Sequence, residues 1–100
     1  WKITMLKLKD VKWDNTTTPT GVAATIGFGN EYKISIIQND ISYGGDKGLY
    51  EIAVLHKDEF TSLPGITNPN DTVAGYLTED SVNNILLKMY TLTKRTPLQI

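Results

Sequence analysis

The clearest potential for chemistry lies in a glycine-rich stretch at residues 42–48, Ser-Tyr-Gly-Gly-Asp-Lys-Gly. Glycine lets backbone N–H groups approach a ligand closely, so three glycines beside Lys47 could bind a phosphate or a carboxylate. The spacing is not that of a P-loop, because no Gly-Lys-Ser/Thr follows and the next predicted element is a strand. A flexible hairpin turn is the ordinary interpretation of the same residues. Together with two aromatic side chains from outside the loop, the candidate binding residues are Tyr43, Gly44, Gly45, Asp46, Lys47, Tyr50 and Trp13.

The only histidine, His56, is the side chain best suited to general acid–base catalysis near neutral pH. A general base needs an orienting partner and a zinc site needs three or four ligands, so one histidine without cysteines supports neither. The oxygen-rich turn at residues 68–71 lacks the residue order of an EF-hand calcium loop. We therefore expect no enzyme activity, no metal and no cofactor. A small enzyme that uses His56 with a carboxylate such as Asp58 or Glu59 is the last-ranked alternative.

The composition argues against several classes of partner. The chain has 100 residues, with 10 Lys and Arg against 11 Asp and Glu, and Arg95 is its single arginine. Duplex binding depends on several basic side chains, so nucleic acid is not an expected partner. No apolar run approaches the roughly 20 residues that span a bilayer, and no signal segment is recognised, so no membrane is expected. Without cysteines, these features predict one domain over residues 1–100 and a cytoplasmic location.

Alternation of apolar and polar residues predicts four strands. The first is interpreted as long and bent by a bulge, because its alternation changes phase. The second and third flank Gly29 and Asn30, a two-residue loop typical of a hairpin. The fourth is apolar on both faces apart from Glu51, which is typical of a central strand. In chain order, the predicted strands are residues 2–13, 22–28, 32–36 and 49–55.

One amphipathic helix is predicted at residues 79–93. Thr78 supplies an N-cap oxygen, and apolar residues recur from Val82 to Met89 at positions i, i+3, i+4 and i+7. Prolines and glycines predict an irregular segment over residues 57–77. The expected fold is α+β: a mostly antiparallel four-stranded sheet with this C-terminal helix packed on one face. The other face should be shielded by residues 57–77 or by a partner.

Two segments carry a resemblance to a known group of proteins. They are ISYGGDKGLYEIAVL at residues 41–55 and GYLTEDSV at residues 75–82. The chain resembles small uncharacterised proteins of tailed bacteriophages that share a Tyr-Gly-Gly, Gly-Leu-Tyr-Glu strand and a Gly-Tyr-Leu-Thr-Glu helix start. The similarity covers about the last two-thirds of the chain, and residues 57–70 match less well. The resemblance implies a protein that acts in the host cytoplasm without cofactors and binds a host factor.

These observations favour a non-enzymatic phage accessory protein that binds a host protein, including a component of a defence system. The alternative is an oligomeric protein that sequesters a nucleotide-like immune messenger, because the loop with Lys47 and the aromatic side chains could hold a base and a phosphate. A homodimer or higher homo-oligomer is compatible with either hypothesis, since a second copy can cover an apolar sheet face or an edge strand.

Overall fold

Six antiparallel strands and one α-helix make up the computed structural model, which describes residues 5–14, 21–29 and 31–100. The arrangement is the predicted α+β fold, but the sheet has six strands rather than four. One 3-10 helix, Leu8–Asp10, precedes the first strand in the chain, and a second, Gly45–Lys47, lies between the second and third strands. The main elements are β1 (Val22–Gly27), β2 (Tyr32–Gln38), β3 (Tyr50–His56), β4 (Glu59–Phe60), β5 (Val73–Leu77), α1 (Glu79–Thr93) and β6 (Leu98–Gln99).

The strand order is β4-β3-β2-β1-β6, and β5 also pairs with β3. The predicted hairpin is confirmed: β1 and β2 pair in continuous register from Val22 opposite Gln38 to Gly27 opposite Lys33. Its loop is longer than the two residues predicted, because the Phe28 N–H donates to the Tyr32 carbonyl oxygen and Glu31 lies in the turn with a φ of 64°. Asn30, the second predicted loop residue, lies outside the described residues. The prediction that the following strand is central is also confirmed, because β3 has β2 on one side and both β4 and β5 on the other. β3 therefore pairs with three other strands, β2, β4 and β5.

The core lies between one face of the sheet and the helix. Alternate residues of β1, β2 and β3 fall in two cross-strand rows on this face, Ala24, Ile36 and Ile52 in one row and Ile26, Ile34 and Val54 in the next. The helix occupies the predicted residues, and its side chains Val82, Ile85, Leu86 and Met89 are buried against this face. Complete burial of one such side chain stabilises the fold by about 1.5 to 3 kcal/mol. Within the described residues, no helix combines the length and the apolar character that crossing a membrane requires.

The predicted N-terminal strand is wrong for the part of it that is described; residues 2–4 lie outside the described residues. Residues 5–13 form no strand, and only Asp14 makes an isolated bridge, with Ala23 of β1. The Lys7 N–H is accepted by the carboxylate of Asp10, and the Leu8 N–H by Oδ1 of Asn83 on the helix, at 2.8 Å. Because side chains satisfy these donors, this segment needs no strand partner and lies against the helix instead.

Residues 57–77 are more ordered than predicted, because they contain β4 and β5. Lys57 and Asp58 both have positive φ, which gives the two-residue turn that joins β3 to β4. The second face of the sheet is expected to be shielded by this segment or by a partner. Leu63 and Ile66 of the segment pack into the core with the helix.

Candidate functional site

The glycine-rich loop after β2 is held by an asparagine at its start. Oδ1 of Asn39 accepts the N–H groups of Ile41 at 3.0 Å and Ser42 at 2.7 Å, and Oγ of Ser42 accepts the Asn39 N–H at 2.9 Å. Gly44 and Gly48 then adopt left-handed conformations, with φ of 89° and 76°, on either side of a short 3-10 turn. The loop is therefore an ordered turn that presents Tyr43 in a fixed place.

Five backbone N–H groups of this loop are used inside the protein. Those of Gly45, Lys47, Gly48 and Leu49 donate to loop carbonyl groups, at 2.9 to 3.2 Å. The Tyr43 N–H donates to the Glu51 carboxylate at 2.9 Å. An anion-binding loop needs such donors to be free and convergent, so this turn lacks the feature that made a phosphate site conceivable.

Tyr43 meets Tyr76 at a β-bulge in β5. Tyr50 of β3 lies opposite Leu77 and Ile52 lies opposite Ala74, so two residues of β5, Gly75 and Tyr76, face one residue of β3. The Tyr76 N–H donates to the Tyr43 carbonyl oxygen at 3.0 Å. The two rings are stacked, with centroids 6.4 Å apart and planes 22° apart. We refer to Tyr43 and Tyr76 as the tyrosine pair.

Two glycines allow the tyrosine pair to form. A Cβ atom on Gly75 would overlap the Cβ atom of Tyr43, and a Cβ atom on Gly44 would lie 2.9 Å from the Cα atom of Tyr76. Neither glycine could therefore carry a side chain unless the neighbouring tyrosine moved. Gly44 and Gly75 therefore act through close backbone approach, which brings the two rings together at the edge of the sheet.

The conformation of Tyr76 is costly for its residue type. Its φ is 56°, in the left-handed region that costs an L-residue about 1 to 2 kcal/mol. The other non-glycine residues with positive φ in the described chain are polar, and they lie in turns or at the helix C-terminus. Tyr76 instead lies inside a strand and keeps a large apolar ring 60% exposed, beside Tyr43 at 56%. The backbone strain at Tyr76 does not bury its ring, so the strained conformation points to a role for the ring at the surface.

A cleft of about 480 Å³ opens beside the tyrosine pair, and we call it the edge cleft. One wall is β5 itself, and the opposite wall comes from the segment between β4 and β5. Within residues 5–14, 21–29 and 31–100, Asp71 is the only Asp, Glu, Lys or Arg that lines it. Both phenol rings present electron-rich faces, so the edge cleft combines a negative charge with a surface that attracts cations. Its lining residues are Tyr43, Ile66, Asn68, Asp71, Val73, Ala74, Gly75 and Tyr76.

The structure separates the site residues that were predicted from the sequence. Tyr43 lines the edge cleft, whereas Asp46 and Lys47 are exposed on the 3-10 turn and do not line it. Trp13 and Tyr50 stack on each other, 5.8 Å apart with planes at 14°, and pack against the core rather than beside Tyr43.

The sequence offers Tyr76 as an aromatic candidate for an interface but does not separate it from a core residue, and sequence reasoning does not select Asp71 at all. A glycine inside a strand pattern, as in Gly75-Tyr76, is the local signal of a bulge that could have pointed to Tyr76. No comparable signal marks Asp71, because its position depends on the fold of the whole segment between β4 and β5.

His56 lies apart from the edge cleft and stacks on Tyr32, with centroids 4.3 Å apart. In the part of the chain that is described, no side-chain hydrogen bond or ion pair joins its imidazole to Asp58 or Glu59. His56 meets Glu59 through the backbone pairing of β3 with β4, and the Asp58 carboxylate bonds Lys33 at 2.6 Å. The same residues contain no group of three His, Asp or Glu side chains placed to hold a metal ion. No protein-family model, curated protein or solved structure matches this chain.

Proposed function

We propose that this chain is a non-enzymatic binding protein that docks on a partner protein through the tyrosine pair and the edge cleft. The observation that carries the proposal is the strained, exposed conformation of Tyr76, stacked on an equally exposed Tyr43. Tyrosine is enriched among the residues that dominate binding energy at protein interfaces, because it offers a rigid, amphipathic contact surface. The resemblance to tailed-phage proteins makes a protein of the bacterial host, including a defence component, the first partner class to test.

The geometry supports a protein partner better than a nucleotide. A nucleotide needs cations or free, convergent N–H groups for its phosphates. Asp71 is the charged residue that lines the edge cleft among the described residues, and five of the loop N–H groups are internally bonded. Lys47, the cation in that alternative, is on the turn and does not line the edge cleft. Catalysis by His56 has no oriented carboxylate to support it among the described residues.

The test is a tagged pull-down from bacterial lysate, with native mass spectrometry of the eluate. Four proteins are compared: the unmodified chain, Tyr43→Ala, Tyr76→Gly and the matched control Phe60→Ala. Phe60 is an equally exposed aromatic residue, 65% exposed, on β4 at the other end of β3. We expect a protein partner at stoichiometric yield with the unmodified chain and the control, and an affinity loss of about 30-fold or more in both tyrosine variants.

Two results would contradict this function. Capture that is unaffected by either tyrosine substitution would remove the tyrosine pair from the interface. A bare homo-oligomer that carries a nucleotide-sized mass would replace the protein partner with the small-molecule alternative.

A further inference from the structure

The edge of β5 that borders the edge cleft has no strand partner within the described chain. β5 pairs only with β3. The Val54 N–H donates to the Thr72 carbonyl oxygen, and Ile52 lies opposite Ala74 in the same register. Because backbone groups alternate between the two edges of a strand, Thr72 and Ala74 face β3. The N–H and carbonyl groups of Val73 and the N–H of Gly75 therefore point outward, toward the edge cleft. The Gly75 carbonyl points the other way, because the Tyr76 N–H of the same trans peptide is directed to Tyr43.

The backbone of Tyr43 is already hydrogen-bonded to this edge of β5. Beyond the bulge, its carbonyl oxygen already receives the Tyr76 N–H at 3.0 Å. The available edge therefore ends at Tyr43 and consists of the N–H and carbonyl groups of Val73 and the N–H of Gly75. Residues two apart on one strand edge have the spacing at which an added strand forms its hydrogen bonds. An unpaired edge of this kind is a template for another extended chain.

We propose that the partner supplies an extended segment that adds to the β5 edge as a further strand and places a Lys or Arg side chain against the tyrosine pair and Asp71. This inference rests on the proposed function and specifies its partner chemistry. The partner segment is proposed to be basic because of charge complementarity: of the residues that the structure describes, Asp71 is the charged residue of the edge cleft, and no Lys or Arg lines it. A cation over the face of a tyrosine gains further electrostatic attraction.

The probe is a set of acetylated and amidated heptapeptides that alternate valine and threonine, with arginine, glutamine or glutamate at the centre. Each is titrated into the isotopically labelled full chain and followed by the amide resonances of Val73 and Gly75. We expect these two resonances to shift most, with the arginine peptide binding about fivefold more tightly than the glutamate peptide. Equal binding of the three peptides, no binding at millimolar concentration, or shifts confined to another surface would overturn the proposal.

Backbone methylation of the probe separates strand addition from side-chain docking. Two arginine peptides are methylated at alternate amide nitrogens, in opposite phases. Strand addition predicts that one phase loses binding, because its methyl groups face β5, while the other phase keeps it. Equal binding of both methylated peptides would contradict strand addition.

Variants of the chain distinguish failure of this inference from failure of the proposed function. Val73→Pro removes one outward N–H, and proline is tolerated on an edge strand when that N–H faces away from the sheet. Val73→Ala is the matched control, since it shortens the same side chain and keeps the N–H. We expect capture of the partner to fall with Val73→Pro but not with Val73→Ala. Loss of capture in Tyr43→Ala with full capture by Val73→Pro would preserve the tyrosine pair as the interface and refute strand addition.

Discussion

Gly75 lies directly against Tyr43, so closely that any side chain at position 75 would overlap the Cβ atom of the tyrosine. The contact joins a strand to a loop more than thirty residues earlier in the chain. With this close approach, the Tyr43 ring lies at β5, stacked on Tyr76. The tyrosine pair can therefore form because Gly75 has no Cβ atom.

The substitution Gly75→Ala tests this relationship. We expect a loss of about 1 to 3 kcal/mol in the free energy of unfolding, because the added methyl group must displace Tyr43 and its loop. Urea unfolding measures the loss. In a Tyr43→Gly background the Cβ atom that causes the overlap is gone, so the same substitution should cost clearly less. Equal costs in the two backgrounds would show that the overlap is not the cause.

The Tyr76→Gly variant should have a higher free energy of unfolding than the Tyr76→Ala variant. Both substitutions remove the ring, but alanine keeps the left-handed strain at φ of 56° and glycine does not. We expect Tyr76→Gly to exceed Tyr76→Ala by about 1 kcal/mol in unfolding free energy, while both lose partner binding. Phe60 on β4 is the matched control, because the reverse order, alanine above glycine, is expected at an ordinary strand position. The same order at both positions would mean that Tyr76 is not strained.

Local patterns predicted the elements whose stability is local. The helix follows from the Thr78 cap, which accepts the Ser81 N–H at 3.2 Å, and from apolar residues at helical spacing. The hairpin of β1 and β2 follows from alternation around a turn sequence. In both cases the residues that pair or cap are neighbours in the chain, so the sequence within a short window is sufficient.

The rest of the fold and site depends on contacts between distant residues. The segment around Leu8 has enough alternation for a strand, but Asn83 of the helix accepts its N–H and no strand forms. Tyr76 becomes part of a site only because the pairing of β3 with β5 shifts by one residue at Gly75. Asp71 joins it through the fold of an irregular segment. Such placements cannot be read from a window of neighbouring residues.

The histidine is expected to be dispensable for binding. His56→Ala removes the stack on Tyr32, a contact worth about 0.5 to 1.5 kcal/mol, and alters no residue of the edge cleft. We expect a modest fall in the urea midpoint and unchanged capture of the partner. A folded His56→Ala protein that has lost its biological activity would instead support the enzymatic alternative.

The two ends of the described chain are joined by the Gln99 side chain. Its Oε1 accepts the Lys12 N–H at 2.8 Å, and its Nε2 donates to the Lys12 carbonyl oxygen. The side-chain amide thus bonds both backbone groups of Lys12, as a paired strand residue would. Gln99→Met keeps the length of the side chain and loses both bonds. We expect it to lower the unfolding free energy by about 1 to 2 kcal/mol and to speed hydrogen exchange of the Lys12 amide.

The matched control for this last prediction is Gln38→Met. The side chain of Gln38 makes a single long bond, 3.4 Å, to the Leu49 carbonyl oxygen, so its loss should cost less. The Lys12 amide should exchange at its original rate in that variant, because Gln38 does not contact the N-terminal segment through this bond. If Gln99→Met left exchange at Lys12 unchanged, the N-terminal segment would be held by its apolar contacts, the Leu8–Asn83 bond and the Asp14–Ala23 bridge, and the amide of Gln99 would contribute nothing to its position.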